Sequence, residues 1–186
     1  PSAYLSGDWY DYCKLNEYEV LFYLADVSGH GVTSSLLTSW MAAFHGRSKT
    51  PRQLIQKLNA MLVQENIEKH ITMVAGILNL QTHEITWSSA GHYPPPIIFE
   101  PNQAPQILTT SSFPLGLTED LDVEEHICKL NPDARFILCS DGALEPFDGG
   151  LNDQFNQLVD HLQNNSFQAP EHVADDIAIL SICRMN

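Results

Sequence analysis

Several aspartates in this sequence stand at a turn beside an apolar run, and they are the residues best placed to do chemistry. Asp26 ends the apolar run Val20–Ala25 and is followed by Val27-Ser28-Gly29-His30-Gly31. A carboxylate at the tip of a buried strand is costly unless a cation or strong hydrogen bonds compensate its charge. The glycines let the backbone turn sharply beside whatever the carboxylate holds. This arrangement is typical of a site built on a rigid element.

Three more carboxylate positions share this design. Asp8 precedes an aromatic-rich run, Asp141 follows the run Arg135–Cys139 after Ser140, and Asp175-Asp176 precede the last apolar run. One such aspartate means little, because Asp-Gly is a common turn pair. Four in one small domain indicate a cation site, since gathered like charges repel and oxygen ligands suit Mg²⁺ or Mn²⁺ rather than zinc. Two such ions, roughly 3.5–4 Å apart, can share a hydroxide and clamp a phosphoryl group.

The composition excludes several classes of protein. The 186 residues carry 23 acidic and 9 basic side chains, a net charge of −14, which argues against nucleic acid or an anionic membrane as a partner. No apolar run approaches the roughly 20 residues that span a bilayer, and the first residues lack the basic start and apolar stretch that are typical of a signal peptide. The four cysteines form no C-x-x-C pair and are expected to be reduced. We expect a cytoplasmic protein, and Pro1 suggests a fragment of a longer chain.

The elements that must position these carboxylates are mostly strands. Apolar periodicity predicts strands at 9–14, 19–26, 72–80, 84–89, 97–100, 123–130, 135–139 and 177–183. It predicts helices at 32–46, 51–67 and 151–163, with a helical turn at 170–175. The first two strands form a hairpin, so that Asp8 and Asp26 meet at one end of an antiparallel pair. The pattern favours an α+β fold with helices packed on two antiparallel sheets.

Six segments carry a resemblance to a known family. In chain order they are Ser6-Gly7-Asp8-Trp9-Tyr10-Asp11, Asp26-Val27-Ser28-Gly29-His30-Gly31, Ala90-Gly91-His92-Tyr93-Pro94-Pro95, Pro114-Leu115-Gly116, Ser140-Asp141-Gly142 and Asp175-Asp176. Together they resemble the bacterial SpoIIE/RsbU-like branch of the metal-dependent PPM serine/threonine phosphatases, over nearly the whole chain. Within that branch the suspected subgroup is the output domains of RssB-type response regulators, which the chain resembles. The resemblance implies a four-layer α-β-β-α sandwich.

The resemblance also implies a set of site residues. Asp26 bridges two Mn²⁺ or Mg²⁺ ions, and the backbone carbonyl of Val27 completes one of them. Asp141 and Asp175 hold the other ion, with Asp176 as the alternative to Asp175. Asp8 acts largely through bound water. Two positions depart from the family pattern, Ser6 in place of glycine and Ala178 in place of threonine, and neither removes a carboxylate.

Two histidines lie within the motifs. His30 is a candidate catalytic residue beside Asp26 and Asp141, since an imidazole with a pKa near 6.5 can protonate the serine leaving group. The alternative, a histidine that packs or caps its turn, stays open. His92 precedes three prolines and is expected to fix its loop by hydrogen bonding rather than to take part in the chemistry.

The expected function is that of a metal-dependent phosphoserine/phosphothreonine protein phosphatase. The resemblance implies that its substrate is a phosphorylated anti-sigma-factor antagonist in stress or partner-switching signalling. Residues 1–186 form one phosphatase domain, expected to follow a sensor or receiver domain in the same chain, and a dimer stays open. The alternative is a phosphatase-like adaptor of a response regulator that binds proteins without catalysis. The four carboxylates speak against it, because an adaptor does not need them.

Overall fold

The computed structural model describes residues 7–28, 48–65, 69–170 and 175–184. It divides the chain into two compact units, Pro1–His92 with Thr110–Leu130, and Tyr93–Thr109 with Asn131–Asn186. Within the described ranges, no helix has the length and apolar character needed to cross a membrane. A single phosphatase domain over residues 1–186 stays a prediction.

The described elements comprise nine strands, two α-helices and one short 3₁₀-helix. The strands are β1 (Asp8–Lys14), β2 (Glu19–Val27), β3 (Ile71–Asn79), β4 (Glu84–Ala90), β5 (Ile97–Phe99), β6 (Gln106–Ile107), β7 (His126–Lys129), β8 (Arg135–Cys139) and β9 (Ile179–Cys183). The helices are α1 (Pro51–Gln64), the 3₁₀-helix (Asp141–Leu144) and α2 (Leu151–Gln163).

The first unit is built on an antiparallel sheet of five strands in the order β1-β2-β3-β4-β7. Alternate residues of β2 and β3 share one buried face, including Leu21, Tyr23, Met73 and Ala75. Asp26 lies between two residues of that alternating set, Ala25 and Val27, so its side chain points to the opposite face of the sheet.

Helix α1 covers the apolar face of this sheet. It begins where the sequence predicts, because the side chain of Thr50 accepts a hydrogen bond from the Gln53 amide at 3.3 Å and Pro51 occupies the first turn. Its buried side chains share one side of the helix and join the core cluster of the sheet: Leu54, Ile55, Leu58 and Leu62. The helix fixes the sheet that carries Asp26.

The second unit has an antiparallel sheet of four strands in the order β6-β5-β8-β9. Helix α2 packs on one face of it, with Leu158 and Leu162 in a cluster that includes Ile137. Arg135 ties the two together, because its guanidinium donates to the Leu162 carbonyl at 3.0 Å and lies 5.0 Å from the centre of the Phe99 ring. Strand β8, which leads into Asp141, is therefore held at its first residue by the end of α2.

The structure confirms the α+β class with two antiparallel sheets. Helix 151–163 and strand 135–139 have the predicted bounds, and the other central strands and α1 differ by a few residues. The strand predicted at 123–130 is wrong in its first part, because Val123 is buried in the core cluster around α1 instead of pairing with β4. The predicted helix 32–46 and residues 171–174 of the predicted turn lie outside the described residues, and β6 and the 3₁₀-helix were not predicted.

Candidate active site

The predicted ligands of the first unit meet at one end of its sheet. Asp8 opens β1 and Asp26 lies near the end of β2, and the antiparallel register makes them direct partners. This confirms the predicted hairpin geometry. Side chains of directly opposed residues project from the same face of a sheet, with Cβ atoms roughly 4.5–5.5 Å apart. Both aspartates are half-buried, so two carboxyl groups lie side by side and are only partly accessible to water.

Gly7 keeps a space open beside two oxygen atoms of this pair. A Cβ at Gly7 would lie 3.3 Å from the carbonyl oxygen of Val27 and 3.5 Å from Oδ1 of Asp26. The Val27 amide donates to the Gly7 carbonyl at 3.1 Å, which fixes the two segments against each other. A carboxylate oxygen and a backbone carbonyl oxygen thus face one small space, and such oxygens are the ligands that Mg²⁺ and Mn²⁺ prefer. The residues present fit a hard divalent cation.

The row of polar residues continues across the sheet. Thr72 on β3 is the direct partner of Asp26, and its Oγ1 lies 3.2 Å from Nδ1 of His92. His92 is 8% exposed. Gly91 has a φ of +60°, and a Cβ there would lie 2.5 Å from Pro114, so only glycine fits. The predicted hydrogen-bonding role of His92 is confirmed, whereas Thr72 was not predicted as a site residue.

In the second unit, the turn after β8 is pressed against the segment before β9. The side chain of Ser140 is fully buried; its Oγ accepts from the Ala178 amide at 2.9 Å and donates to the Asp176 carbonyl at 3.3 Å. A Cβ at Gly142 would lie 2.1 Å from that same carbonyl oxygen. This contact sets Asp141 beside the Asp175-Asp176 segment.

Asp141 lies in an electrostatic environment that disfavours its charged form. Partial desolvation, and then repulsion by the Asp175 carboxylate, raise the pKa of Asp141 above its ordinary value, while the amides of Gly142 and of Asp141 itself oppose the shift. Asp175 is therefore close enough to Asp141 for the two carboxylates to repel each other. The Asp176 amide donates to Oδ1 of Asp175 at 2.8 Å. The choice between Asp175 and Asp176 as the ligand stays a prediction.

The structure thus brings the predicted ligands together as two pairs, Asp8 with Asp26 and Asp141 with Asp175, in different units. In the ranges 7–28, 48–65, 69–170 and 175–184, no three or more His, Cys, Asp or Glu side chains form a group that could hold a metal ion. His30 lies outside the described residues.

Known proteins resemble the chain over most of its length. The sequence model of the family described as Stage II sporulation protein E (SpoIIE) matches residues 16–184. Over 78% of this chain, the sequence is 27% identical to the phosphoserine phosphatase RsbP of Bacillus subtilis (strain 168) and 29% identical to the phosphoserine phosphatase RsbU of the same organism. The aligned parts cover 38% and 44% of those relatives, so the chain spans less than half of their length.

Solved structures show the same fold. The RsbU and RsbW domains of Rv1364c from Mycobacterium tuberculosis match 100% of this chain and 56% of that one, with a TM-score of 0.78 and 20% identity. RsbX in complex with magnesium matches 94% of this chain and 85% of that one, with a TM-score of 0.64 and 16% identity.

Proposed function

Because this chain belongs to the SpoIIE/RsbU-like branch of the PPM serine/threonine phosphatases, we propose that it is a metal-dependent hydrolase that removes phosphate from phosphoserine or phosphothreonine in a protein. The observation that carries the proposal is the space beside Gly7. There, Oδ1 of Asp26 and the Val27 carbonyl oxygen face the same point. Asp26 and Val27 both lie within residues 16–184, which the sequence model of the family matches.

The proposed ligands are those that the family resemblance implies. Asp26 would serve both ions, the carbonyl oxygen of Val27 would serve one of them, and Asp8 would act through bound water. Asp141 and Asp175 are assigned to the other ion. Mn²⁺ or Mg²⁺ fits these oxygen ligands, and a structural neighbour bound to magnesium supports the choice.

The reaction is hydrolysis of a phosphate monoester. Water adds to phosphorus, the bond from phosphorus to the serine or threonine oxygen breaks, and that oxygen takes a proton, which gives the free hydroxyl and inorganic phosphate. When bound, the two ions supply an activated water and neutralise phosphoryl charge. The carboxylates of this chain hold and orient that centre. His30 is the proposed proton donor to the leaving oxygen, since imidazole titrates near neutral pH.

The proposed substrate is a phosphorylated anti-sigma-factor antagonist. Two curated relatives named phosphoserine phosphatases RsbP and RsbU support this choice, as does a structural neighbour that joins RsbU and RsbW domains in one chain. In this proposal a sensor or receiver domain of the same protein controls the phosphatase, and dephosphorylation of the antagonist triggers partner switching in a stress response.

Turnover of p-nitrophenyl phosphate and of a phosphoserine protein with added Mn²⁺ tests the activity. Wild type should be active, and Asp26→Ala and Asp141→Ala should each lose at least about a hundredfold in rate, as expected when a group that stabilises the transition state is removed. Asp160→Ala, an exposed carboxylate on α2, is the matched control and should keep full activity.

Equal rates in wild type and both site variants, or wild type that neither binds Mn²⁺ in calorimetry nor turns over substrate, would overturn the phosphatase proposal. A folded, inactive wild type that still binds the antagonist protein would establish the adaptor alternative.

A further inference from the structure

A row of polar residues crosses the five-stranded sheet at the end where Asp26 lies. The antiparallel registers place Asp8 on β1, Asp26 on β2 and Thr72 on β3 as successive direct partners. All three side chains therefore project from the same face of the sheet. His92 follows β4 and joins the row through its contact with Thr72. Thr72 thus stands between a proposed metal ligand and a buried imidazole.

The imidazole of His92 is fixed in place. Its Nδ1 lies 3.2 Å from Oγ1 of Thr72, and the residue is 8% exposed. The preceding Gly91 has no room for a side chain, because Pro114 fills the space where a Cβ would stand. A buried ring on a backbone that is packed this closely has little freedom to turn away from Thr72.

The chemistry of a hydroxyl sets the direction of the hydrogen bonds. Thr72 has one proton to donate and two lone pairs that accept, whereas an ionised Asp26 carboxylate only accepts. If Thr72 donates to His92, its lone pairs are left to face the carboxylate, which is unfavourable. If Nδ1–H of His92 donates to Thr72, the hydroxyl proton is free to point at Asp26. The second arrangement satisfies all three groups and requires the tautomer with hydrogen on Nδ1.

We propose that Thr72 and His92 are positioning residues that orient the Asp26 carboxylate for metal binding, through a hydrogen-bond chain from His92 Nδ1–H to Thr72 and from the Thr72 hydroxyl to Asp26. The inference rests on the proposed function, in which Asp26 holds both ions. Partners that hydrogen-bond to a metal ligand fix its orientation, and their loss typically weakens metal binding by about 10–100-fold. His92 therefore acts on the metal centre through Thr72.

Direct Mn²⁺ binding, measured by isothermal titration calorimetry, tests the chain without depending on turnover. Thr72→Val keeps the branched shape but removes the hydroxyl, and should raise the Kd for Mn²⁺ by about 10–100-fold. Thr72→Ser keeps the hydroxyl and should bind within about threefold of wild type on the same reasoning. His92→Leu should match Thr72→Val. The double variant should be no weaker than either single one, because both changes break the same chain.

The control is Thr86→Val, a threonine on the neighbouring strand β4 that pairs with Ile77, five positions along β3 from Thr72. It should bind Mn²⁺ as wild type does, and thermal unfolding should show that all variants are folded. Wild-type affinity in folded Thr72→Val, loss of affinity in Thr72→Ser equal to that in Thr72→Val, or multiplied losses in the double variant would each overturn the positioning role while leaving the phosphatase proposal intact. A wild-type protein that binds no Mn²⁺ would overturn both.

Discussion

Gly142→Ala should damage both the stability of the second unit and the proposed activity. A Cβ at Gly142 would lie 2.1 Å from the Asp176 carbonyl oxygen, whereas Cβ atoms essentially never come within 3.0 Å of such a neighbour. The turn and the Asp175-Asp176 segment must separate by about 0.9 Å, the difference between these distances. Ser140 resists that separation, because its hydroxyl bonds to the segment at both Asp176 and Ala178.

The size of the effect follows from this clash. Forcing an extra methyl group into a close-packed site costs typically about 1–3 kcal/mol. For a chain of this length, each kcal/mol lowers Tm by about 2–4 °C, so the variant should melt about 2–12 °C below wild type. A displacement of about 1 Å at a catalytic group can cost about a hundredfold in rate. We expect a loss of that order, because Asp141 precedes the altered glycine and Asp175 lies on the displaced segment.

Thermal unfolding in chelator and p-nitrophenyl phosphate turnover at saturating Mn²⁺ measure the two effects. Gly150→Ala is the control, since its Cβ would have no neighbour nearer than 3.9 Å. It precedes α2 as the N-cap, so it should cost at most about 1 kcal/mol and leave turnover unchanged. A Gly142→Ala protein with the Tm and rate of wild type would show that the close contact between the turn and Asp176 does not exist in solution.

Two more variants test the packing of the first sheet and the charge of the second unit. Gly76→Ala places a Cβ 2.2 Å from the ring of its cross-strand partner Phe22. It should lower the free energy of unfolding in urea by about 1–3 kcal/mol. Adding Phe22→Ala should remove this extra cost, whereas additive losses of stability in the double variant would disprove the clash. Asp141→Asn should stabilise the metal-free chain at pH 7 by at most about 1 kcal/mol, because it removes a partly desolvated charge repelled by Asp175. In the folded state the charged form of Asp141 is the unfavourable one, so the gain in stability should shrink as the pH falls through the raised folded-state pKa. It should vanish below the ordinary value of 3.8. A gain in stability that persists at low pH would contradict an electrostatic origin.

Local sequence pattern was sufficient to predict the strands that carry the candidate ligands. The runs Val20–Ala25 and Phe136–Cys139 are apolar or aromatic throughout, which is consistent with strands buried on both faces. The short connection between the first two strands leaves few possible registers, so the meeting of Asp8 with Asp26 could also be predicted. These features depend on neighbours in sequence, and the structure confirms them.

Features set by distant contacts could not be predicted in this way. Thr72 is an ordinary strand residue, and only the register of β3 against β2 makes it a neighbour of Asp26. Strand β6 has two residues, too few for any periodicity. Val123 fits a strand by its side chain, but packing against α1 determines where it lies. The repulsion between Asp141 and Asp175 likewise joins residues that are far apart in the sequence.

Strand β1 is at the edge of its sheet, and this position links the opening of the strand to metal binding. In the described sheet it pairs only with β2, and the side chains of Tyr10 and Tyr12 are 60% and 70% exposed. Edge strands with little buried surface open at a lower free energy than the rest of a domain. If Asp8 contributes to the metal centre, each opening of β1 removes a contributor, so metal affinity and the closed state of β1 are linked. Amide exchange in β1 should then slow as Mn²⁺ is added, and the cell's free metal concentration would determine how often this strand is closed.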